Sequence, residues 1–484
     1  MLEADVLFRN ARIVDGSGSD SYDGDILVAG DRIVAIGDGR DWLATETIDA
    51  AGLTACPGFI DPHSHDDRLL IEQPDMAPKV SQGVTTVIIG NCGLSLAPLT
   101  IERLPSPLYQ LVGGSSFPDF WTYFAELEAR QPATNVAGLV GHSSLRAEVM
   151  DDLTCKANAQ ELESMSQLCS DALAAGVVGM SSGLYYPPAQ AADWEEVAAL
   201  VKLVGAEGGI YPAHIRDEGD EVTDAIKEAS RIATVGGAPL VISHHKVMGE
   251  ANFGRSIETL ALIDALSLEG KLDFDVYPYT AGASILLPRL VETSKRVVVA
   301  SSEPYPGYAG QDLDDVASEL GCSATEAAER LSPGTAVYFM MDEADVQRIL
   351  THPKAMIGSD GIPDEHPHPR LWGTFPRVLG HYSRELGLFR FEEAVRRMTS
   401  LPAQTFGLHD RGILRAGAFA DLVLLDAGTV IDRATFVAPT SPSEGIRHVM
   451  VNGRFAWRDG ISTGERPGRV LRRAGSQGQL EGPQ

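Results

Sequence analysis

The sequence predicts an α/β fold in which a (β/α)8, TIM-like barrel is joined to a small β-sandwich domain and carries an inserted lid. Three observations predict it: eight apolar runs that each end in polar or reactive residues, amphipathic helical patterns between many of these runs, and strand-rich segments at both ends of the chain. At 484 residues the chain exceeds what one core usually holds, so a large and a smaller domain are expected.

The strand-rich ends are predicted to form the small domain together. Residues 1–56 contain short runs of alternating apolar residues separated by Gly and Asp turns, and residues 411–471 have the same character, as in ADLVLLDAG and IRHVMVNGRFAWRDG. Residues 472–484 are rich in Gly, Gln and Ser and are predicted to be a disordered tail.

Residues 57–410 are predicted to form the barrel, whose active sites lie at the C-terminal ends of its strands. The interval 281–350, between the seventh and eighth runs, is too long for one crossover helix and is predicted to be an inserted lid subdomain. The eight runs are ACPGFIDPHSH, TTVIIGNCG, NVAGLVGHSS, GVVGMSSGLYY, GIYPAHIRDE, PLVISHHKV, LDFDVYPYT and AMIGSDG.

Composition excludes several classes of protein. The net charge of −28 argues against nucleic acid or an anionic membrane as partner, and an anionic substrate then needs a locally positive pocket. No apolar run approaches the roughly 20 residues of a membrane span, and charges interrupt the N-terminal stretch where a signal peptide needs its apolar core. The five scattered cysteines do not suggest a disulfide framework, so a cytoplasmic location is expected. The sequence leaves the oligomeric state open.

The first run ends in two histidines one residue apart, His63 and His65. Side chains alternate with period two along a strand, so both project on the same side at the strand's end. Two imidazoles aimed at one point form half of a metal site.

Other runs end in residues of the same chemistry. Taken singly, each has an ordinary interpretation: a cysteine as a small core residue, a histidine that holds a loop, an aspartate in a turn. Together, at the mouth of one barrel, imidazole, thiolate and carboxylate predict zinc or a related transition ion, since calcium and magnesium prefer oxygen-rich shells. The further candidates are Cys92, His142, His214, His244, His245 and Asp360.

These residues lie in motifs that identify a resemblance. The chain resembles the metal-dependent amidohydrolase superfamily and, within it, the D-aminoacylase (N-acyl-D-amino-acid deacylase) family, over nearly its whole length. The resemblance implies zinc-dependent hydrolysis of the amide bond of N-acyl-D-amino acids to a carboxylate and a free D-amino acid. It rests on PGFIDPHSHDD, GNCG, GLYYPP, AHIRDE, SHHK, DVYPYTAG, IGSDG and MTSLPAQTFGL followed by RGILRAGAFADLVLLD.

The resemblance also implies a ligand set. Cys92 takes the bridging place that many relatives give to a carboxylated lysine, and with His214 and His244 it is expected to hold one tight zinc ion. A second, weaker site is implied at His63, His65 and Asp360.

Strand alternation separates the residues of the SHHK motif. It places Lys246 on the same face as His244 and directs His245 into packing. His142 is a candidate for orienting a ligand or a metal-bound water, and His366 and His368 either line the mouth or lie in a loop, with the loop as the preferred interpretation.

Two residues are predicted to act in the reaction. Asp360 is expected to accept a proton from the attacking water and pass it to the leaving amine. Tyr186 is the candidate donor to the developing oxyanion, with Tyr185 or plain packing as the alternatives.

The substrate's own carboxylate requires cations or donors. Lys246, Tyr277, Ser284 and Arg377 match family positions that bind this carboxylate. Arg289 lies near the entrance to the insertion, where acidic-substrate members of the family place an arginine for the side-chain carboxylate, and its alternative interpretation is a solvated lid residue.

Two other functions are considered. A cyclic-amide hydrolase of the dihydroorotase or hydantoinase kind usually needs a lysine at the end of the fourth strand, and the run MSSGLYY contains none. A catalytically silent scaffold would be expected to lack ligands, yet every matching position is filled. D-selectivity rests on the family resemblance, and the acyl preference is not determined by any pattern.

Overall fold

The computed structural model describes residues 4–100 and 115–476 of the chain. Strands from both ends of the chain build the predicted small domain. Its strands are β1 (Ala4–Ile13), β2 (Tyr22–Ala29), β3 (Arg32–Gly37), β4 (Ala44–Asp49), β5 (Thr54–Pro57), β17 (Leu422–Leu425), β18 (Ile446–Val451), β19 (Arg454–Arg458) and β20 (Ile461–Ser462).

Hydrogen bonds join these strands into one nine-stranded sheet. The antiparallel pair β5–β17 connects the N-terminal strands to the C-terminal ones, and β4 adds to the edge of β1. Apolar residues of both halves, such as Phe8, Ile26, Leu422 and Met450, pack into a single core. The alternating pattern of the sequence therefore buries one face of the sheet within the domain.

The barrel is confirmed as an eight-stranded parallel sheet. Its order is β16-β12-β11-β10-β9-β8-β7-β6, and a parallel bridge between Ser64 and Gly361 closes it. The strands are buried almost throughout, for example all of VTTVII in β7, because helices cover the outer face. The barrel strands are β6 (Phe59–Asp61), β7 (Val84–Ile89), β8 (Asn135–Gly141), β9 (Gly179–Gly183), β10 (Tyr211–His214), β11 (Leu240–Ile242), β12 (Leu272–Val276) and β16 (Ala355–Ile357).

Capped amphipathic helices connect the strands. Asn158 and Glu161 form a capping box at the start of Ala159–Ala175, and Gly176 ends this helix in the left-handed conformation. The helices are Leu69–Glu72, Ala77–Val80, Phe120–Arg130, His142–Val149, Ala159–Ala175, Pro187–Gln190, Trp194–Ala206, Val222–Gly236, Ser256–Leu266, Pro288–Thr293, Leu313–Leu320, Ala324–Leu331, Glu343–Thr351, Arg370–Arg377, Phe391–Met398 and Ser400–Thr405, with 3-10 turns at Glu250–Asn252 and Pro306–Tyr308 and a π-helix at Val378–Glu385.

The segment between β12 and β16 contains a separate three-stranded antiparallel sheet. Its strands are β13 (Ala281–Ile285), β14 (Arg296–Ser302) and β15 (Gly334–Phe339), with β15 in the centre. The helix Glu343–Thr351 that follows is the crossover back to β16, so the end of the predicted insertion belongs to the barrel. The insertion places β13 and the helix Pro288–Thr293 beside the barrel mouth, where Ser284 and Leu290 line a cavity.

The C-terminal residues 472–476 contact the barrel, whereas the sequence predicts a disordered tail from residue 472 onward. Arg472 forms an ion pair with Glu128 at 2.6 Å, and Arg473 donates to the Glu207 carbonyl at 2.6 Å. These contacts attach the segment to the outer helices of the barrel. The remainder of the predicted tail, residues 477–484, lies outside the described residues. Within the described ranges, each helix is too short or too polar to cross a membrane.

Candidate active site

A small cavity of about 30 Å³ lies at the C-terminal mouth of the barrel. It is bounded by residues that follow the barrel strands on one side and by the insertion on the other. Its lining residues are His65, Cys92, Leu94, Tyr185, Tyr186, His214, Glu218, His244, Lys246, Met248, Tyr277, Gly282, Ala283, Ser284, Leu290, Met340, Asp360 and Ile362.

One potential ligand group consists of Cys92, His214 and His244, which follow or end β7, β10 and β11. Cys92 Sγ lies 3.3 Å from His244 Nε2, which lies 2.9 Å from His214 Nδ1. One donor atom from each residue lies within 4.8 Å of the others, and all three side chains are buried. At this spacing the three donor atoms can bind the same metal ion.

The second group shares Cys92 and adds the ligands of the first and eighth barrel strands. His63 Nε2 lies 3.3 Å from Cys92 Sγ and 3.6 Å from Asp360 Oδ1, and His65 Nε2 lies 3.3 Å from the same carboxylate oxygen. The donor atoms of this group also fall within 4.8 Å of one another. The six residues named from the sequence thus converge on one place, with Cys92 between the two groups.

Three of these residues have backbone conformations that a strand pattern does not predict. Cys92, His244 and Asp360 have φ values of 53°, 37° and 48°, in the left-handed region that residues other than glycine rarely adopt. Such strain is typical of functional sites.

The SHHK motif divides as the sequence indicates. Lys246 Nζ lies 2.8 Å from His244 Nδ1, whereas His245 points the other way, 2.9 Å from Thr259 Oγ1 and edge-on to Phe274. His245 therefore packs behind the site and takes no part in the ligand groups.

The donor set fits zinc. Burial alone would raise the pKa of the Cys92 thiol, but His63, His244 and His214 around it lower this pKa well below its usual value. A buried cysteine held as thiolate among imidazoles is the environment of a metal-binding cysteine and not that of a core residue. For comparison, burial without such neighbours raises the pKa of the Cys169 thiol to about 12.

Two acidic residues that sequence reasoning missed support the ligands. Asp275 Oδ1 lies 3.2 Å from His63 Nδ1 and accepts the backbone N–H of His244 at 2.9 Å, so one carboxylate holds both groups. Glu218 Oε1 lies 3.0 Å from His244 Nδ1 and accepts from Lys246 Nζ at 2.5 Å. The sequence did contain a signal for each: Asp275 is an acidic residue near the end of an apolar run, and Glu218 is the acidic residue that ends the motif AHIRDE. Such contacts fix the orientation of metal-binding histidines.

The structure brings most of the predicted substrate residues into the cavity. Lys246, Tyr277 and Ser284 line it, and Tyr186 Oη lies 3.4 Å from Ser284 Oγ. Burial, and then the nearby Cys92, raise the pKa of the Tyr186 phenol well above its usual value, so it stays protonated and able to donate. Tyr185 also lines the cavity, with its ring against His214.

The structure does not bring Arg377 to the cavity. Arg377 Nε donates to the Pro278 carbonyl at 2.9 Å and its Nη1 lies 3.4 Å from Asp432, away from the lining residues. Arg370 lies two turns earlier in the same helix and is fully buried. Its Nη1 lies 2.9 Å from Asp360 Oδ2, and its guanidinium lies 4.5 Å from the centre of the Tyr277 ring.

Arg289 lies at an outer cavity of about 450 Å³. Its guanidinium stacks 4.0 Å over the Tyr185 ring and donates to the Tyr185 carbonyl at 3.0 Å. Tyr185, Met248 and Leu290 line both the inner and the outer cavity, so the two spaces adjoin.

The other three candidate histidines, His142, His366 and His368, have structural partners. His142 Nε2 lies 2.9 Å from Glu196, which also binds Arg146, and His142 does not line the cavity. His368 is buried: it contacts the Ala281 carbonyl at 3.0 Å, and its Nδ1 accepts the Arg370 N–H at 2.9 Å. The loop interpretation of His368 is therefore incomplete, since this side chain ties the insertion to the helix that carries Arg370. His366 contacts the Phe436 carbonyl at 2.9 Å.

A (β/α)8 barrel with imidazole, thiolate and carboxylate ligands at its C-terminal strand ends defines a metal-dependent hydrolase of the barrel type. The model of the amidohydrolase family matches residues 46–250 and 295–456. The chain belongs to the amidohydrolase family and, within it, to the D-aminoacylase family, as its relatives show.

The relatives cover almost the whole chain. A D-aminoacylase of Alcaligenes xylosoxydans xylosoxydans is 50% identical over 472 residues, 97% of this chain and 98% of that protein. An N-acyl-D-glutamate deacylase of the same organism is 44% identical over 475 residues, 98% of this chain and 97% of that protein. The crystal structure of the N-acyl-D-glutamate deacylase of Bordetella bronchiseptica, complexed with zinc and a phosphonate inhibitor that mimics the tetrahedral intermediate, matches with a TM-score of 0.95 and 43% identity over 97% of this chain and 100% of that one.

Proposed function

We propose that this protein hydrolyses the amide bond of N-acyl-D-amino acids to a carboxylate and a free D-amino acid, with zinc as its cofactor. The observation that carries the proposal is the convergence of six side chains that can bind metal, five of which line one cavity whose wall also contains Lys246 and Tyr186. D-selectivity is supported by the relatives, which are a D-aminoacylase and an N-acyl-D-glutamate deacylase.

Cys92, His214 and His244 would hold the tight zinc ion, and His63, His65 and Asp360 a second, weaker one. Zinc, when bound, supplies Lewis-acid polarisation of the amide carbonyl and lowers the pKa of a water to near neutrality. The protein's own residues hold the ligands in place, transfer protons and stabilise the charge that develops at the scissile bond.

Asp360 is the proposed proton carrier. Burial would raise the pKa of its carboxyl, but Arg370 and His244 hold this pKa well below its usual value, so Asp360 is a carboxylate at neutral pH. It can then accept a proton from the attacking water and donate it to the amine nitrogen as the C–N bond breaks. An amine leaves poorly unless it is protonated, so the second transfer is as necessary as the first.

Tyr186 is the proposed donor to the oxyanion that develops on the carbonyl oxygen. Its phenol faces the cavity beside Ser284 and remains protonated. A donor already in position strengthens as charge develops in a buried site, which favours the transition state over the substrate.

The substrate carboxylate is proposed to bind at Lys246, Tyr277 and Ser284, with Arg370 in the role first predicted for Arg377. Arg370 is the buried guanidinium beside the cavity, and its planar fork suits a carboxylate. Arg289 is proposed to contact the side chain of the D-residue across the outer cavity, which would favour acidic D-residues.

The direct test is amine release by the zinc-loaded protein from matched N-acetyl-D- and N-acetyl-L-amino acids, including methionine, leucine and glutamate. Turnover confined to the D series supports the proposal. Turnover of the L series at a similar rate would refute D-selectivity. If neither series is hydrolysed while zinc stays bound, the proposed function is overturned and cyclic amides are the next substrates to test. The residues disfavour cyclic amides, because Cys92, and not a lysine after β9, would take the bridging position.

A further inference from the structure

The barrel closes at a joint between β6 and β16, and this joint carries three of the six ligands. Backbone contacts across it are the bridge between Ser64 and Gly361, the Asp360 N–H to the His63 carbonyl at 2.8 Å, and the His65 N–H to the Gly361 carbonyl at 3.2 Å. Every one of these contacts involves a ligand residue or its neighbour. The geometry of His63, His65 and Asp360 therefore depends on how the joint is held.

A fully buried cluster of charged and polar side chains lies directly behind this joint, and we name it the seam cluster. It consists of Lys79, Asp61, Asp66 and Ser359, each with no exposed surface. Lys79 Nζ lies 2.7 Å from Asp61 Oδ2, 2.8 Å from Ser359 Oγ and 3.2 Å from Asp66 Oδ2. Lys79 comes from the helix Ala77–Val80, so three separate segments meet at one ammonium group.

The seam cluster is connected to the ligands through the backbone. Asp61 Oδ1 accepts the N–H of Ser359 at 2.9 Å and the N–H of His63 at 3.3 Å, and the Ser359 hydroxyl donates to Asp61 Oδ2 at 2.6 Å. The Gly361 N–H donates to Ser359 Oγ at 3.0 Å. Asp61 and Ser359 thus hold the chain immediately before His63 and on both sides of Asp360.

Lys79 has no direct contact with the reaction site. It does not line the inner cavity, and its neighbours in the cluster are not ligands. A buried ion pair is costly to desolvate and is often matched in stability by apolar residues, so stability alone does not explain a lysine here. Asp360 has a left-handed backbone, a conformation that persists where the surrounding structure holds it.

The other ligands are held differently. His214 ends β10 and His244 follows β11, and these strands are paired by a regular parallel ladder from Tyr211 with Leu240 to Ala213 with Ile242. Within the described residues, the seam cluster forms no hydrogen bond or ion pair with this pair of strands. Disturbing the seam should therefore affect one half of the metal centre more than the other.

We propose that Lys79 is a positioning residue which, through Asp61 and Ser359, sets the geometry of the His63–His65–Asp360 half of the metal centre. The affinity for the second metal ion then depends on a side chain that touches neither metal nor substrate. The inference rests on the metal assignment of the proposed function and adds a determinant outside the ligand set.

The test compares Ser359→Ala with Ser400→Ala in the full-length protein. Ser400 is a matched control, because it is also a buried serine and its hydroxyl donates to the Gly16 carbonyl at 2.6 Å, where the barrel meets the small domain. Lys79→Met is measured in the same way. If Lys79→Met does not fold, Ser359→Ala still tests the proposal. Co²⁺ is titrated into each metal-free protein by calorimetry, which gives the affinities of the first and the second ion as separate binding steps.

For Lys79→Met and for Ser359→Ala we expect first-ion affinity as in wild type and second-ion affinity lower by about 10- to 100-fold, the usual cost of losing a contact that supports a metal ligand. Ser400→Ala should bind both ions as wild type does. Equal second-ion affinity in Ser359→Ala and wild type, or equal weakening of both ions, would overturn the proposal. A wild-type protein that binds one ion at any concentration, yet releases D-amino acids, would also overturn it and leave the proposed function standing. Two bound ions without turnover of any D-substrate would instead refute the proposed function alone.

Discussion

Cys92 shows how one residue's surroundings decide its chemistry. Five cysteines occur in the chain, and the neighbouring histidines distinguish this one from Cys169, whose thiol lies in an apolar core. A thiolate is the anionic ligand common to both candidate groups.

Replacement of Cys92 is the first prediction at this scale. Cys92→Ala should abolish tight zinc binding and activity, because the site loses its anionic ligand. Zinc content after dialysis is the measurement, and Cys169→Ala, which removes an equally buried thiol from Ala159–Ala175, is the control. Near-normal zinc retention by Cys92→Ala would mean that the cysteine is a core residue.

Replacement of Asp360 can distinguish the proposed proton transfer from tight metal binding. Asp360→Ala should keep the tight zinc ion at Cys92, His214 and His244 but lower kcat by about 100- to 10,000-fold, the usual contribution of a general acid–base group. Zinc analysis and steady-state kinetics on the same sample check both parts. An almost unchanged kcat would leave the barrel assignment intact and disprove the proposed mechanism.

The two arginines at the ends of one helix provide a matched pair. Arg370→Leu should lower kcat/KM by about 10- to 100-fold, because the protein loses the proposed hydrogen bond to the substrate carboxylate and also the ion pair that keeps Asp360 ionised. Arg377→Leu should change it little, since Arg377 contacts Pro278 and Asp432. Kinetics on one N-acetyl-D-amino acid decide between them, and the reverse result would restore the prediction made for Arg377.

Replacement of Arg289 tests whether this residue recognises the side chain of the substrate. Arg289→Leu should lower kcat/KM for N-acetyl-D-glutamate while leaving N-acetyl-D-leucine nearly unchanged, because its guanidinium lies at the outer cavity and not among the ligands. The ratio of the two kcat/KM values is the measurement. An equal effect on both substrates would make Arg289 a lid residue without specificity.

At the scale of elements, a buried ion pair joins two barrel helices. Arg146, in His142–Val149, donates to Glu196 Oε1 at 2.5 Å, and Glu196 belongs to Trp194–Ala206. Although burial acts to raise it, contacts with His142 and Arg146 lower the pKa of the Glu196 carboxyl to about 2. The lowered pKa means that this carboxylate stabilises the fold above its unfolded pKa of about 4.3, and that the stabilisation is lost as the pH falls through about 2.

Glu196→Gln should therefore destabilise the protein by about 3 kcal/mol at neutral pH, because Arg146 remains buried without its counter-charge. The difference from wild type should shrink as the pH falls from about 4.3 towards about 2. Urea unfolding of both proteins in a chelating buffer across this range is the measurement. A difference that stays constant with pH would show that Glu196 acts only through its hydrogen bonds.

At the scale of the whole molecule, the ligands connect the start of the barrel to its end. They come from β6, β7, β10, β11 and β16 or the residues just after them, so a bound ion links segments nearly 300 positions apart, from His63 to Asp360. An ion that binds the folded state and not the unfolded chain stabilises the fold by mass action.

Removal of zinc by a chelator should therefore lower the unfolding temperature, and added zinc should restore it. Differential scanning calorimetry of the metal-free and zinc-loaded protein is the measurement. Cys92→Ala should lose most of the shift, since it lacks the tight site. An unfolding temperature independent of zinc would argue against a metal ion bound across the barrel strands.

The sequence by itself determined the barrel, the small domain made from both ends and the identity of the ligand-bearing runs. Hydrophobic period and length separate strands from helices, and polar residues at the ends of apolar runs predict the mouth of the barrel. The family motifs then implied the roles of Cys92, His214 and His244.

Tertiary structure alone decided which residues support these ligands. Periodicity describes the faces of one element, whereas Asp61, Lys79 and Ser359 meet only because the barrel closes and brings together residues up to 298 positions apart. That Arg370 and not Arg377 contacts Asp360 likewise depended on where one helix begins, with His368 at its start, and on which of its ends faces Asp360. Local patterns carry the chemistry of the ligands, and long-range packing sets the positions from which they act.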